Sequence, residues 1–138
     1  MDSKSAYVLD TFALLAYLKD EPGAARIEDI LDQAAKDKCS LFASIINLGE
    51  VCYIVERKGG VQEAQNAIAL IRQLPIEVLA ADEQTVFAAA HIKATHRLSY
   101  ADAFAVVGAL DKNAVVMTAD PEFAAVESIV KVEWLAKK

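Results

Sequence analysis

The stretch Ala6-Tyr7-Val8-Leu9-Asp10-Thr11-Phe12-Ala13-Leu14-Leu15-Ala16-Tyr17-Leu18 carries a single charge, Asp10. Ala6–Leu9 is a short apolar run suited to a buried strand, and Thr11–Lys19 reads as a helix. Asp10 stands at the junction. An ionised carboxylate between a buried strand and a helix is costly unless it is hydrogen-bonded, paired or bound to metal. The flanking residues supply no cation within reach along the chain, so the fold must bring its partner from elsewhere.

The same strand–helix alternation continues outward from this unit. Ala24–Lys36 is amphipathic, with Ile27, Ile30, Leu31 and Ala34 at helical spacing. Leu41–Ala43 reads as a strand, and Ser44 caps a helix to about Arg57, stopped by Gly59-Gly60. Val61–Leu74 is helical and Ile76–Ala80 a strand. Asp82 caps a helix to Thr95, and Ser99 caps another to Leu110. Ala114–Thr118 is a strand, Pro121–Glu127 a short helix and Ile129–Trp134 a last strand. Strands alternating with helices predict a parallel sheet covered on both faces. Val8, Val78, Val115, Val116 and Ile129 suit fully buried strands. In such sheets ligands bind beyond the carboxyl ends of the strands.

Length and composition agree. The chain has 138 residues, 55% of them hydrophobic, which predicts one domain over residues 1–138 with a full core. Five Gly and three Pro exclude a linker-rich or collagen-like chain. No apolar run reaches the roughly 20 residues of a membrane span, and the start of the chain lacks a signal-peptide pattern. Cys39 and Cys52, each in an apolar run and without CxxC spacing, read as buried reduced thiols of a cytoplasmic protein. A formal net charge of −6 excludes nucleic-acid binding through a large basic surface. It leaves a nuclease open, because a metal site gathers carboxylates.

Four acids keep no polar company. Asp10 is the only charge between Ser5 and Leu18, Glu50 between Cys39 and Val55, and Asp102 between Leu98 and Leu110. Asp120 follows the uncharged run Asn113–Ala119. Asp10 and Asp120 each follow a strand, while Glu50 and Asp102 lie in the opening turns of helices. Strand ends and helix starts share one edge of a parallel sheet, so all four can converge there. Taken singly, Asp10 reads at least as well as a helix cap, and for Asp102 and Asp120 the cap is the better reading. Glu50, mid-helix among Ile46, Val51 and Ile54, has no cap to serve. Asp82, beside Glu83 and Gln84, is better read as a solvated cap. One metal site accounts for all four acids at once. Hard oxygen ligands suit Mg²⁺ or Mn²⁺, and such a site suits hydrolysis of phosphodiesters.

Four motifs carry a resemblance. They are Val8-Leu9-Asp10-Thr11-Phe12-Ala13-Leu14-Leu15-Ala16, Ile45-Ile46-Asn47-Leu48-Gly49-Glu50-Val51, Leu98-Ser99-Tyr100-Ala101-Asp102-Ala103 and Thr118-Ala119-Asp120-Pro121-Glu122-Phe123. In this order the chain resembles a PIN domain and, within that class, the VapC-type ribonuclease toxins of toxin–antitoxin pairs. The resemblance implies a three-layer α/β/α sandwich with a four- or five-stranded parallel sheet. It implies that Asp10, Glu50, Asp102 and Asp120 are catalytic and hold one or two Mg²⁺ or Mn²⁺ ions. Thr11, Asn47 and Thr118 would support them, and RNA would be cut by a metal-activated water. It also implies a homodimer and a small VapB-like antitoxin partner. Ala119 departs from the Gly commoner at that position.

Arg57, Lys58, His96 and Arg97 are candidates to touch RNA, although a solvated helix end accounts for each. His91 and His96, five apart, do not have the spacing of a paired metal site. Tyr17, Leu18, Ile27, Ile30 and Leu31 give the first two helices apolar faces, part of which is expected to stay exposed as the antitoxin surface. A haloacid-dehalogenase-type phosphatase would need an acid where Phe12 stands. A receiver domain would need an acidic pair on the first strand–helix loop, and no glycine-rich phosphate loop is present. The rival from another class is a PIN fold kept as a catalytically silent RNA- or protein-binding module.

Overall fold

Val8 and Leu9 are both fully buried, and adjacent residues on a strand point to opposite faces, so the first strand must be covered on both sides. The computed structural model describes residues 4–136 and satisfies that demand. In chain order its elements are β1 (Ser5–Leu9), α1 (Thr11–Leu18), α2 (Ala24–Ala35), β2 (Cys39–Ser44), α3 (Ile45–Gly59), α4 (Val61–Arg72), β3 (Glu77–Leu79), α5 (Glu83–Thr95), α6 (Tyr100–Lys112), β4 (Val115–Thr118), a 3₁₀ turn (Pro121–Val126) and β5 (Val132–Trp134). The five strands form one parallel sheet in the order β3-β2-β1-β4-β5. Val8 lies opposite Phe42 on one side and Val116 on the other.

Two apolar cores result. Leu9, Leu41 and Met117 face α1 to α4, where Leu14, Ile27, Ile30, Leu48, Val51 and Ile71 pack against them. Val8 and Val116 face α5, α6 and the 3₁₀ turn, with Phe104, Val106, Phe123 and Val126. The α/β/α sandwich expected from the sequence is present, with five strands. Gly108 lets α6 approach the sheet: a Cβ there would meet Leu79 Cδ1 at 3.0 Å. Gly60, at φ +91°, closes α3 and opens α4.

The structure corrects several expectations. Ile129 is exposed and lies before the last strand, and Val78 and Val115 are only half-buried. β3 and β5 are three-residue strands at the sheet margins, paired on one side only, so neither is enclosed as β1 is. The second strand is longer than expected, because Cys39 and Ser40 extend the pairing to Ser5 and Ala6. Of the two free cysteines Cys39 is buried and Cys52 only half-buried. Ile27, Ile30 and Leu31 go into the core, so the exposed patch expected on the first two helices shrinks to half-buried Tyr17 and Leu18. Among the described residues, no helix is long and apolar enough to cross a membrane.

Candidate active site

Parallel strands deliver their carboxyl ends to one edge, and four acidic segments reach it. β1 ends at Leu9 and β4 at Thr118, one and two residues before Asp10 and Asp120. β2 runs directly into α3, which carries Asn47 and Glu50 in its first two turns. α6 ends just before β4 begins, so its other end, with Asp102, lies at the carboxyl edge.

Asp10 is fully buried. Its Oδ1 accepts the Ala13 N–H at 2.8 Å, which caps α1, and its Oδ2 accepts the Thr118 hydroxyl. Thr118 Oγ1 in turn accepts the Asp120 N–H at 2.9 Å, tying the ends of β1 and β4 together. Burial pushes the Asp10 carboxyl up to about 7, and the charges of Asp120 and Glu50 add to this, while the bonds from Thr118 and Ala13 pull the other way.

Glu50 is held at both oxygens. The Thr11 hydroxyl donates to Oε1 at 2.6 Å and the Tyr53 hydroxyl to Oε2 at 3.2 Å. Thr11 is oriented by buried Asn47, whose Nδ2 donates to Thr11 Oγ1 at 3.1 Å and to the Ala101 carbonyl at 3.2 Å. Because that carbonyl can only accept, the amide orientation is fixed, and the Thr11 proton is left for Glu50. Asn47 Oδ1 has no partner, alone among the buried side-chain polar atoms of the described residues. An orphaned hard oxygen amid acids suits a cation or an ordered water.

Asp102, buried in the first turn of α6, has a carboxylate oxygen within 4.8 Å of one of Asp120. Its carboxyl lies well above the usual range, first through burial and then through the charges of Asp120 and Asp10, against the bond with Ser99. Ser99 Oγ accepts the Asp102 N–H at 3.1 Å, but the reciprocal half of the capping box is missing. The Ser99 N–H goes instead to Glu122 Oε1, at 2.9 Å. Glu122 also donates its own N–H to Asp120 Oδ1 at 2.9 Å. Asp102, Asp120 and Glu122 each place a carboxylate oxygen within 4.8 Å of the others, a grouping that could hold a metal ion. Asp10 and Glu50 are not in that trio: Asp10 meets it through charge, with Asp120 and with Asp102, while the charge of Glu50 acts on Asp10.

The sequence reading did not select Glu122. Its signal was the Asp120-Pro121-Glu122 spacing, which a 3₁₀ turn converts into two carboxylates close together. The capping reading of Asp10 and Asp120 holds geometrically, since each caps the element after it, and capping leaves both at the carboxyl edge of the sheet. Asp82 is a solvated cap on Thr85, as expected. The two histidines stay apart from the acids. His91 lines a cavity of about 680 Å³ between α5, α6 and β3 that contains none of the four acids, and His96 bonds locally to Thr95 and Ile92.

The sequence model described as PIN domain matches residues 7–129. No curated protein matches the chain. Among solved structures the chain is similar to VapBC2 from Rickettsia felis bound to a DNA fragment from their promoter, with TM-score 0.75 and 15% identity over 95% of this chain and 99% of that one. It is also similar to DNA-bound VapBC from Salmonella typhimurium, with TM-score 0.72 and 21% identity over 94% and 97%. VapC20 of Mycobacterium tuberculosis, described as a sarcin–ricin loop cleaving toxin, superimposes with TM-score 0.67 and 20% identity over 87% and 94%. At these identities the likeness is one of fold.

Proposed function

The chain belongs to the PIN domain family, and from that premise we propose that it is a Mg²⁺- or Mn²⁺-dependent endoribonuclease, the toxin of a VapBC-type pair. One observation supports the reading: acids from four separate segments lie toward the carboxyl edge of the sheet, where the charges of Asp120 and Glu50 act on Asp10 and those of Asp120 and Asp10 on Asp102, and hydroxyls and amides rather than cations engage Asp10 and Glu50. Such a cluster is costly without a cation.

In this reading Asp10, Glu50, Asp102 and Asp120 ligate the ion. Thr118 and the Ala13 N–H aim Asp10, and Thr11, set by Asn47, aims Glu50. When bound, the cation supplies Lewis acidity toward a phosphodiester and an attacking water. Asp10 and Asp102, whose carboxyls burial holds protonated to higher pH than usual, would give up those protons on holding the cation and so act as charged ligands. RNA is the proposed substrate, and a VapB-like antitoxin and a second copy of the chain are the proposed protein partners. The similar VapBC complexes support the antitoxin assignment.

The test is RNA cleavage by the purified chain in Mg²⁺ and in chelator, beside Asp10→Asn, in which the amide oxygen still caps α1. Cleavage in Mg²⁺ alone, reduced about 100-fold or more in the variant, is the expected result. A chain that binds RNA or a protein partner and cuts nothing is the silent module, and contradicts the reading.

A further inference from the structure

Along one face of α3, Glu50, Tyr53 and Arg57 follow each other at helical spacing. Tyr53 is 46% exposed although its hydroxyl is anchored on Glu50 Oε2. The Arg57 guanidinium lies over one face of the ring, 4.9 Å from its centroid. Arg57 makes no ion pair among the described residues, in a protein of net charge −6. An exposed aromatic and an unpaired cation therefore border an acidic pocket directly. Two further exposed aromatics stand close in sequence to other site acids: Phe12 two residues after Asp10, and Tyr100 two before Asp102.

Aromatic rings beside a cation suit one ligand chemistry in particular. The face of an unstacked nucleobase lies flat on the ring face that the guanidinium leaves open, and the guanidinium meets the adjoining phosphate. Paired bases bury their faces in the helix stack, so a platform of this kind selects single strands. We propose that Tyr53 and Arg57 form the substrate platform of the site, Tyr53 stacking one base of single-stranded RNA and Arg57 contacting its phosphate beside the scissile bond. This rests on the nuclease reading and adds to it two residues that hold the strand. The hydroxyl of Tyr53 gives the platform a fixed place relative to Glu50: a base on the ring sets the register of the strand against the acids.

The experiment measures RNA affinity in Mg²⁺ on the Asp10→Asn background, which separates binding from cleavage. The probes are a short labelled RNA, single-stranded or annealed to its complement. Tyr53→Ala is expected to weaken single-strand binding about tenfold or more, the effect of losing one stacked base. Tyr53→Phe keeps the ring and should keep that affinity. Arg57→Gln should weaken binding and lower the slope of log affinity against log salt by about 1, which loss of helix packing alone would not do. The duplex should bind more weakly than the single strand and respond little to Tyr53→Ala. Single-strand affinity unchanged in Tyr53→Ala overturns the platform while leaving the nuclease reading in place, with the exposed ring then assigned to a protein partner. Absence of RNA binding by the background protein, with no cleavage by the wild type, overturns the nuclease reading itself and the platform with it.

Discussion

At Ser99 the helix-capping role and the acid-clustering role of neighbouring residues are divided between two side chains. Its hydroxyl caps α6 through the Asp102 N–H, and its own N–H is taken by Glu122. Asp102 is thereby released from the reciprocal bond that a capping box assigns to it, and its carboxylate turns to Asp120. Glu122→Gln isolates what the charge contributes. The amide oxygen still accepts from Ser99, but one negative charge leaves the trio. Mn²⁺ affinity measured by calorimetry should fall about tenfold or more. Affinity equal to wild type would reduce Glu122 to a strap between the 3₁₀ turn and α6. The four acids stand out in the sequence because each stands alone in an apolar run. Glu122 does not, since beside Asp120 in an exposed turn it reads as ordinary surface charge. Tyr53 was missed for a related reason: mid-helix aromatics usually pack, and only the structure puts its hydroxyl on Glu50.

Among the elements, α6 does the most positioning: it carries Asp102, covers β1 and β4, and ends in Asn113, which takes φ +51° before β4 begins. Its approach to the sheet depends on Gly108. Gly108→Val should destabilise the protein by about 1–3 kcal/mol, because the added side chain must displace Leu79 or Val8 in a close-packed layer. Urea unfolding measures this, and an unchanged midpoint would show that the helix can lift at no cost. Most elements were legible from periodicity and punctuation: Gly59-Gly60, Asn113 and Pro121 each mark a boundary. Strand margins were less so. Periodicity registers how apolar a segment is, whereas burial at β3 and β5 depends on which strands end up at the sheet's edge, and that is set by tertiary pairing. The apolar faces of α1 and α2 illustrate the same limit, since Ile27, Ile30 and Leu31 carry equal weight as core or as interface until the packing is known.

For the whole molecule, the acidic edge ties stability to pH and to metal. Asp10 is pushed up to about 7 and Asp102 lies well above its ordinary value, both first of all by burial. The metal-free folded protein therefore keeps protons that the unfolded chain releases once pH passes about 4. Where the folded state binds more protons, unfolding becomes easier as pH rises. The contribution of these two groups is present in full below about pH 4 and is lost progressively up to about pH 7 to 8. A divalent cation that binds only the folded state reverses the loss at neutral pH. Asp102→Asn removes one of the two titrating groups and one of the proposed ligands together, so both its pH dependence and its response to Mg²⁺ should shrink. Thermal unfolding of wild type and Asp102→Asn at pH 5 and pH 7.5, in chelator and in millimolar Mg²⁺, tests the shared acidic pocket most directly. The account predicts that metal-free wild type melts several degrees lower at pH 7.5 than at pH 5, that Mg²⁺ restores it, and that the variant shows less of both effects. Melting temperatures that Mg²⁺ leaves unmoved in wild type, with a variant less stable than wild type in chelator at pH 7.5, would contradict it.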